Sequence, residues 1–115
     1  MGRPVREHVR DVHDYVRAHL SEKITVSEIA QSCGLNASYL NTCYRAQTGE
    51  SVSAAIRRMK IARAAELLDG TDHSLAEICA MLGYFDQSHF SRAFKAVTGM
   101  TPGVYRAQSG CGKRG

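Results

Sequence analysis

Two short runs of side chains carry the hydrogen-bonding chemistry of this chain. The first is Ser38, Asn41, Thr42 and Arg45; the second is Gln87, Ser88, Ser91, Arg92 and Lys95. Within each run the residues recur at the three- and four-residue intervals that gather side chains onto one face of a helix. They are amides, hydroxyls and cations, a set suited to recognising a polar anion rather than to breaking bonds. An amide such as Asn41 or Gln87 suits adenine N6 and N7, Thr42 suits a thymine methyl, and Arg92 suits guanine O6 and N7 or a phosphate. Catalytic constellations are not found: there is no nucleophile with a base at plausible spacing, no phosphate loop and no paired carboxylates outside capping roles. No enzyme activity is expected, and no cofactor.

The element that must hold the second run is Ser74 to Gly99, SLAEICAMLGYFDQSHFSRAFKAVTG. Ser74 and Glu77 form an S-x-x-E capping box, which starts a helix near Leu75. Leu75, Ile78, Cys79 and Leu82 give it an apolar face. Gly83 stands where that helix must stop and turn. Asp86 is placed to cap a second helix, which buries Phe90 and Phe94 and ends at Gly99. A short helix, a tight turn and a longer helix with a polar, basic outer face is the plan of a helix-turn-helix, whose second helix enters the DNA major groove.

The first run sits in a copy of the same plan. Shifted by 49 residues, Thr25, Glu28, Ile29 and Gly34 fall on Ser74, Glu77, Ile78 and Gly83. Beyond the glycine the shift is 50, and Asn36, Ser38, Leu40, Tyr44, Arg45, Thr48, Gly49 and Ser51 fall on Asp86, Ser88, Phe90, Phe94, Lys95, Thr98, Gly99 and Thr101. One extra residue lies in the second turn, where Tyr84–Phe85 faces Leu35. Capping boxes, turn glycines, aromatic or apolar anchors and terminal glycines all recur, so the chain contains two helix-turn-helix units.

The remaining elements frame this repeat. Val5, Val9, Val12, Val16 and Leu20 form one apolar stripe, predicting an amphipathic helix over Arg3 to Leu20 with Pro4 as a good first residue. Its histidines, His8, His13 and His19, do not share a face and read as solvated surface residues. Ser51 is placed to cap a longer helix to about Asp69, rich in strong helix formers. Thr101–Pro102 starts a last short helix through about Ala107. The predicted fold is all-α: seven helices forming two helix-turn-helix subdomains, 4–50 and 70–107, joined by a connector helix over 51–69, with a frayed tail at 108–115. A stiff connector would set the two units to meet adjacent major-groove segments from a single chain.

Composition agrees with a nucleic-acid partner. The chain has 115 residues, a net charge of +4 and a pI near 9.0, a mild basicity that many enzymes share. Of four cysteines, Cys33, Cys43 and Cys79 fall on apolar helix positions and read as small core residues. Cys111 lies in a Gly-rich tail and reads as exposed. No zinc spacing, signal peptide or membrane-spanning run is found, and the cysteine usage suits a reducing cytosol.

The segments ITVSEIAQSCGLNASYL, RRMKIARAAELL and SLAEICAMLGYFDQSHFSRAFKAVTGMTPGVYR together resemble the DNA-binding domain of the AraC/XylS family of bacterial transcription regulators. The resemblance runs from about Val5 to Arg106, and the GY-x-D-Q-S-H-F-S-R-x-F-K and TG-x-TP-x-x-YR motifs are its most diagnostic part. It implies seven helices, two major-groove recognition helices, and control of transcription beside RNA polymerase in the bacterial cytoplasm. Most family members carry a separate effector-binding or dimerisation domain, so this chain reads either as a fragment or as a small stand-alone member.

By analogy with the family, Ser38, Asn41 and Thr42 are the base-reading candidates of the first unit, and Gln87, Ser88, Ser91 and Arg92 those of the second. Arg45, Lys95, Arg57 and Arg58 are candidate phosphate contacts, with the helix dipole and the solvated connector face as the plain alternatives. Tyr39 and His89 flank the reading faces. The family often has Arg where this chain has Thr42, so the first unit lacks a charge and a long reach. The rival function is a protein-interaction module without DNA binding, which predicts salt-insensitive association.

Overall fold

The computed structural model describes residues 5–109, with side chains over residues 8–108. The described residues form seven helices and no strand: α1 (Val5–Ala18), α2 (Val26–Ser32), α3 (Ala37–Thr48), α4 (Val52–Gly70), α5 (Leu75–Met81), α6 (Gln87–Thr98) and α7 (Pro102–Ser109). The all-α architecture is the expected one. Residues 1–4 and 110–115, Pro4 and Cys111 among them, lie outside the described residues; Gln108 and Ser109, expected in the frayed tail, belong to α7.

Local chemistry accounts for the helix ends. Thr25 and Glu28 close their capping box at 3.1 and 3.0 Å, and Ser74 and Glu77 theirs at 3.1 and 2.8 Å. Asn36 and Asp86 each accept a backbone N–H three residues on, from Tyr39 and His89 at 2.8 and 2.7 Å. These bonds satisfy donors that the first helical turn leaves orphaned. Both short helices end in the same backbone knot. Gly34 N–H donates to Gln31 and Leu35 N–H to Ala30; Gly83 N–H donates to Ala80 and Tyr84 N–H to Cys79. This is a Schellman motif, and both glycines hold it at φ 74°.

The chain divides into two compact units. One comprises the residues up to Leu20 with Ile24–Arg57; the other comprises Ser21–Lys23 and the residues from Arg58 onward. In the first unit α1 lies against α2 and α3. Val12, Val16, Ile29, Leu40, Tyr44, Val52 and Ala55 are fully buried there. The Tyr44 hydroxyl is satisfied by His13 Nε2 at 2.7 Å, which lets a phenol sit in the core without an unpaired polar atom.

In the second unit α6 lies against α5 and α7. Its core is a chain of rings, Tyr84–Phe90–Phe94–Tyr105, with successive centroids 5.3, 5.9 and 5.4 Å apart. Ile61, Ala64, Leu68, Ile78 and Leu82 are buried in the same unit. Arg106 donates to the carbonyls of Leu68, Thr71 and His73 at 3.2, 2.9 and 2.6 Å. One guanidinium thus ties α7 to the end of α4 and the loop that follows, using the planar fork that a lysine lacks.

Several sequence expectations change. The α1 histidines are not solvated surface residues: His8 is buried, His13 bonds Tyr44, and His19 stacks on Tyr15 while its Nδ1 meets the Tyr15 carbonyl. Lys60, which the cation-rich connector sequence would place on a solvated face, is buried and donates to the carbonyls of Glu22 and Leu82 at 2.5 and 2.6 Å. Periodicity misplaced it because a long side chain can bury its stem while its ammonium finds carbonyls at a helix end. Cys43 and Cys79 are core residues, but Cys33 is only half-buried at the C-cap of α2.

Candidate nucleic-acid interface

Positioning begins with the buried faces. Leu40, Cys43 and Tyr44 seat α3 in its unit; Phe90, Ala93 and Phe94 seat α6 in the other. Helical geometry then sets what faces outward. On α3, Ser38, Thr42 and Arg45 are exposed and Asn41 is half-buried; on α6, Gln87, Ser88, Arg92 and Lys95 are exposed and Ser91 is half-buried. Each predicted set is therefore gathered on one helix, but its members are not equally available.

Asn41 has a second task. Its Oδ1 accepts the backbone N–H of Val52, the first residue of α4, at 2.9 Å. Pairing with adenine through both amide atoms needs that same oxygen. By the 50-residue shift the equivalent position in the other unit is Ser91, and the residue at the place of Val52 is Pro102, the first residue of α7, which has no N–H to satisfy. The difference between Asn41 and Ser91 thus tracks a backbone donor. Thr42 is also partly engaged, its hydroxyl donating to the Ser38 carbonyl at 3.0 Å. That leaves its methyl as the group best suited to recognition.

The second unit offers more free charge. Among the described residues the side chains of Arg92, Lys95 and Gln87 make no hydrogen bond or ion pair, which removes the acidic partner that would compete for Arg92. Arg45 is likewise exposed at the end of α3. On the connector, Arg57 and Arg58 are exposed, while Arg63 pairs with Glu66 at 2.8 Å. The flanking aromatics differ too. Tyr39 is half-exposed, and its phenol pKa is raised, chiefly by a hydrogen bond with the Cys43 thiol, so it stays a neutral group. His89 is exposed with its ring edge-on to Tyr84 at 5.3 Å.

Supports that sequence reasoning missed are Lys60 and Arg106. Lys60 holds the C-cap carbonyl of α5, Leu82, and so steadies the turn that aims α6. Burial lowers its pKa, with Glu22 acting in the opposite direction. Cys79 adds a weak thiol contact to the Asp86 carbonyl at 3.8 Å; burial raises its pKa and keeps it a thiol. Among the described residues no cluster of three or more metal-ligating side chains occurs, and no helix is long and apolar enough to cross a membrane.

Residues 29–108 match a family model described as a helix-turn-helix domain. The chain belongs to the AraC-type helix-turn-helix family. It is 34% identical to the MmsAB operon regulatory protein of Pseudomonas aeruginosa over 116 aligned positions, covering 98% of this chain and 38% of that protein. The chain thus spans well under half the length of that relative. Its fold is shared with an AraC-type DNA-binding transcriptional regulator from Chromobacterium violaceum, at TM-score 0.84 and 23% identity over 92% of this chain and 95% of that one. It is shared also with the DNA-binding domain of AdpA, a global transcriptional factor solved in complex with a target DNA, at TM-score 0.80 and 23% identity over 91% of each chain.

Proposed function

We propose that this chain binds double-stranded DNA sequence-specifically, with α3 and α6 in adjacent major-groove segments, and thereby regulates bacterial transcription. The observation that carries the reading is the pair of helix-turn-helix units whose second helices each turn an exposed polar and cationic face outward. Ser38 and Thr42 on α3, and Gln87, Ser88 and Arg92 on α6, are the base readers. Asn41 and Ser91 stand half-buried beside them, Asn41 acting first as the acceptor for the Val52 N–H at the start of α4. Arg45, Lys95, Arg57 and Arg58 are phosphate contacts.

The role is recognition rather than catalysis, carried out in the cytoplasm at the nucleoid. RNA polymerase is the partner such a regulator would contact. The greater length of the MmsAB relative suggests that an effector-binding or dimerisation domain accompanies this one in a full-length protein. The test is binding to duplex DNA at two salt concentrations. Displacing counterions with about four phosphate contacts makes affinity fall steeply with salt, with a log–log slope of roughly −4. Flat or undetectable binding would sink the reading in favour of a protein-interaction module.

A further inference from the structure

A hydrophobic residue just before a helix N-cap ordinarily staples itself to the fourth residue inside the helix. In the first unit that place belongs to Leu35, which precedes the cap Asn36 and is half-buried. In the second unit it belongs to Phe85, which precedes the cap Asp86 and is 89% exposed. The staple has moved back by one residue: Tyr84 lies against Phe90, the fourth residue of α6, at 5.3 Å. The extra residue of the second turn has thus displaced a phenyl ring from its packing role. Phe85 stands in solvent at the entrance of the recognition helix, two residues before Gln87. Lys23, from the Ser21–Lys23 segment of the same unit, places its Nζ 5.8 Å from the ring centroid. A large apolar face and a cation therefore occupy one spot beside the residues proposed to read bases.

We infer that Phe85 is a further specificity-determining residue, its ring meeting the 5-methyl group of a thymine beside the base pairs read by α6, with Lys23 on the neighbouring phosphate. The inference rests on the DNA-binding reading above. The thymine methyl is the one apolar feature on the major-groove edges of the bases, and phenylalanine is among the side chains that meet it. Charge favours the same occupant, since Lys23, Arg92 and Lys95 are all exposed cations of this unit.

The experiment uses duplexes selected by the intact chain from a random pool, with each thymine of the second-unit block replaced singly by deoxyuridine. Wild type, Phe85→Ala and Lys23→Gln are titrated against each duplex. One replacement is expected to weaken wild type by about 4-fold, the worth of one buried methyl, and to leave Phe85→Ala unchanged. Lys23→Gln should weaken all duplexes alike and make the salt slope shallower by about one contact. The ring is exposed, so the alanine variant should keep the thermal midpoint of wild type, which separates lost recognition from lost folding. Phe85→Ala binding every duplex as wild type does overturns the inference, as does an equal loss on thymine and uracil duplexes. A wild-type chain that binds no duplex removes the DNA reading itself, and this inference with it.

Discussion

The two helix-turn-helix units share a plan and differ in what the plan must support. Gly34 and Gly83 both turn the chain at φ 74°, yet a Cβ on Gly34 would meet open space, whereas one on Gly83 would lie 2.8 Å from the Glu22 backbone. Asn41 accepts the first N–H of α4, while the corresponding first residue of α7 is Pro102, which leaves Ser91 no such donor to hold. Outward, α3 offers hydroxyls and one arginine near its end; α6 offers Gln87, Arg92 and Lys95. The comparison teaches that a repeat conserves local folding signals while letting the burden of structure and the burden of recognition fall differently. The first unit commits a reading-face side chain to its own scaffold. The second keeps its reading face free and is held from behind by Lys60 and Arg106.

The sharpest way to break this comparison is at the turns. Gly34→Ala should cost about 1–2 kcal/mol, the strain of a left-handed residue bearing a Cβ. Gly83→Ala adds a backbone collision and should cost roughly 2–5 kcal/mol. Urea unfolding of both variants checks this, and equal losses would show that Glu22 moves aside freely.

Lys60→Met tests how the second turn is held. It strips the Glu22 and Leu82 carbonyls of their donor and should cost about 1–3 kcal/mol near neutral pH. The pH dependence has a defined sign. Because the folded state lowers the Lys60 pKa, the folded chain releases this proton before the unfolded chain does. Wild type should therefore gain stability from this group as pH rises from the lowered value toward ~10.4, and Lys60→Met should lack that gain. Unfolding curves for both proteins across the alkaline range supply the measurement.

On binding, Arg92→Ala should cost roughly 1–3 kcal/mol if the guanidinium is bidentate to guanine, against less than ~1 kcal/mol for Thr42→Ala. Gel-shift titration at fixed salt reads the difference, and equal losses would erase the asymmetry between α3 and α6. The smallest effect separates scaffold from reader. Asn41→Ala should lose about 1 kcal/mol of stability by orphaning the Val52 N–H, while Ser91→Ala should lose almost none, as thermal unfolding would show.

Much of this was legible in the residues themselves. The capping boxes at Thr25–Glu28 and Ser74–Glu77, the turn glycines and the Phe90–Phe94 pair each declare a local structure, and their recurrence declares the duplication. Outward placement of Arg92 and Thr42 followed from the buried positions beside them. Contacts between distant segments were not legible. Lys60 looks like a surface cation until the Glu22 and Leu82 carbonyls are brought to it. His13 looks solvated until Tyr44 arrives from α3. Nothing in the sequence of Asn41 says that its oxygen will be taken by Val52. Phe85 reads as one more aromatic in the turn until Tyr84 is seen holding the staple.

The claim that two unequal reading helices serve one chain is tested most directly by selecting bound duplexes from a random pool with the intact protein. The account predicts two short sequence blocks about one helical turn apart, ~34 Å along the duplex, with the block read by α6 the one that disappears when Arg92→Ala repeats the selection. A single block selected by the wild-type chain would contradict it.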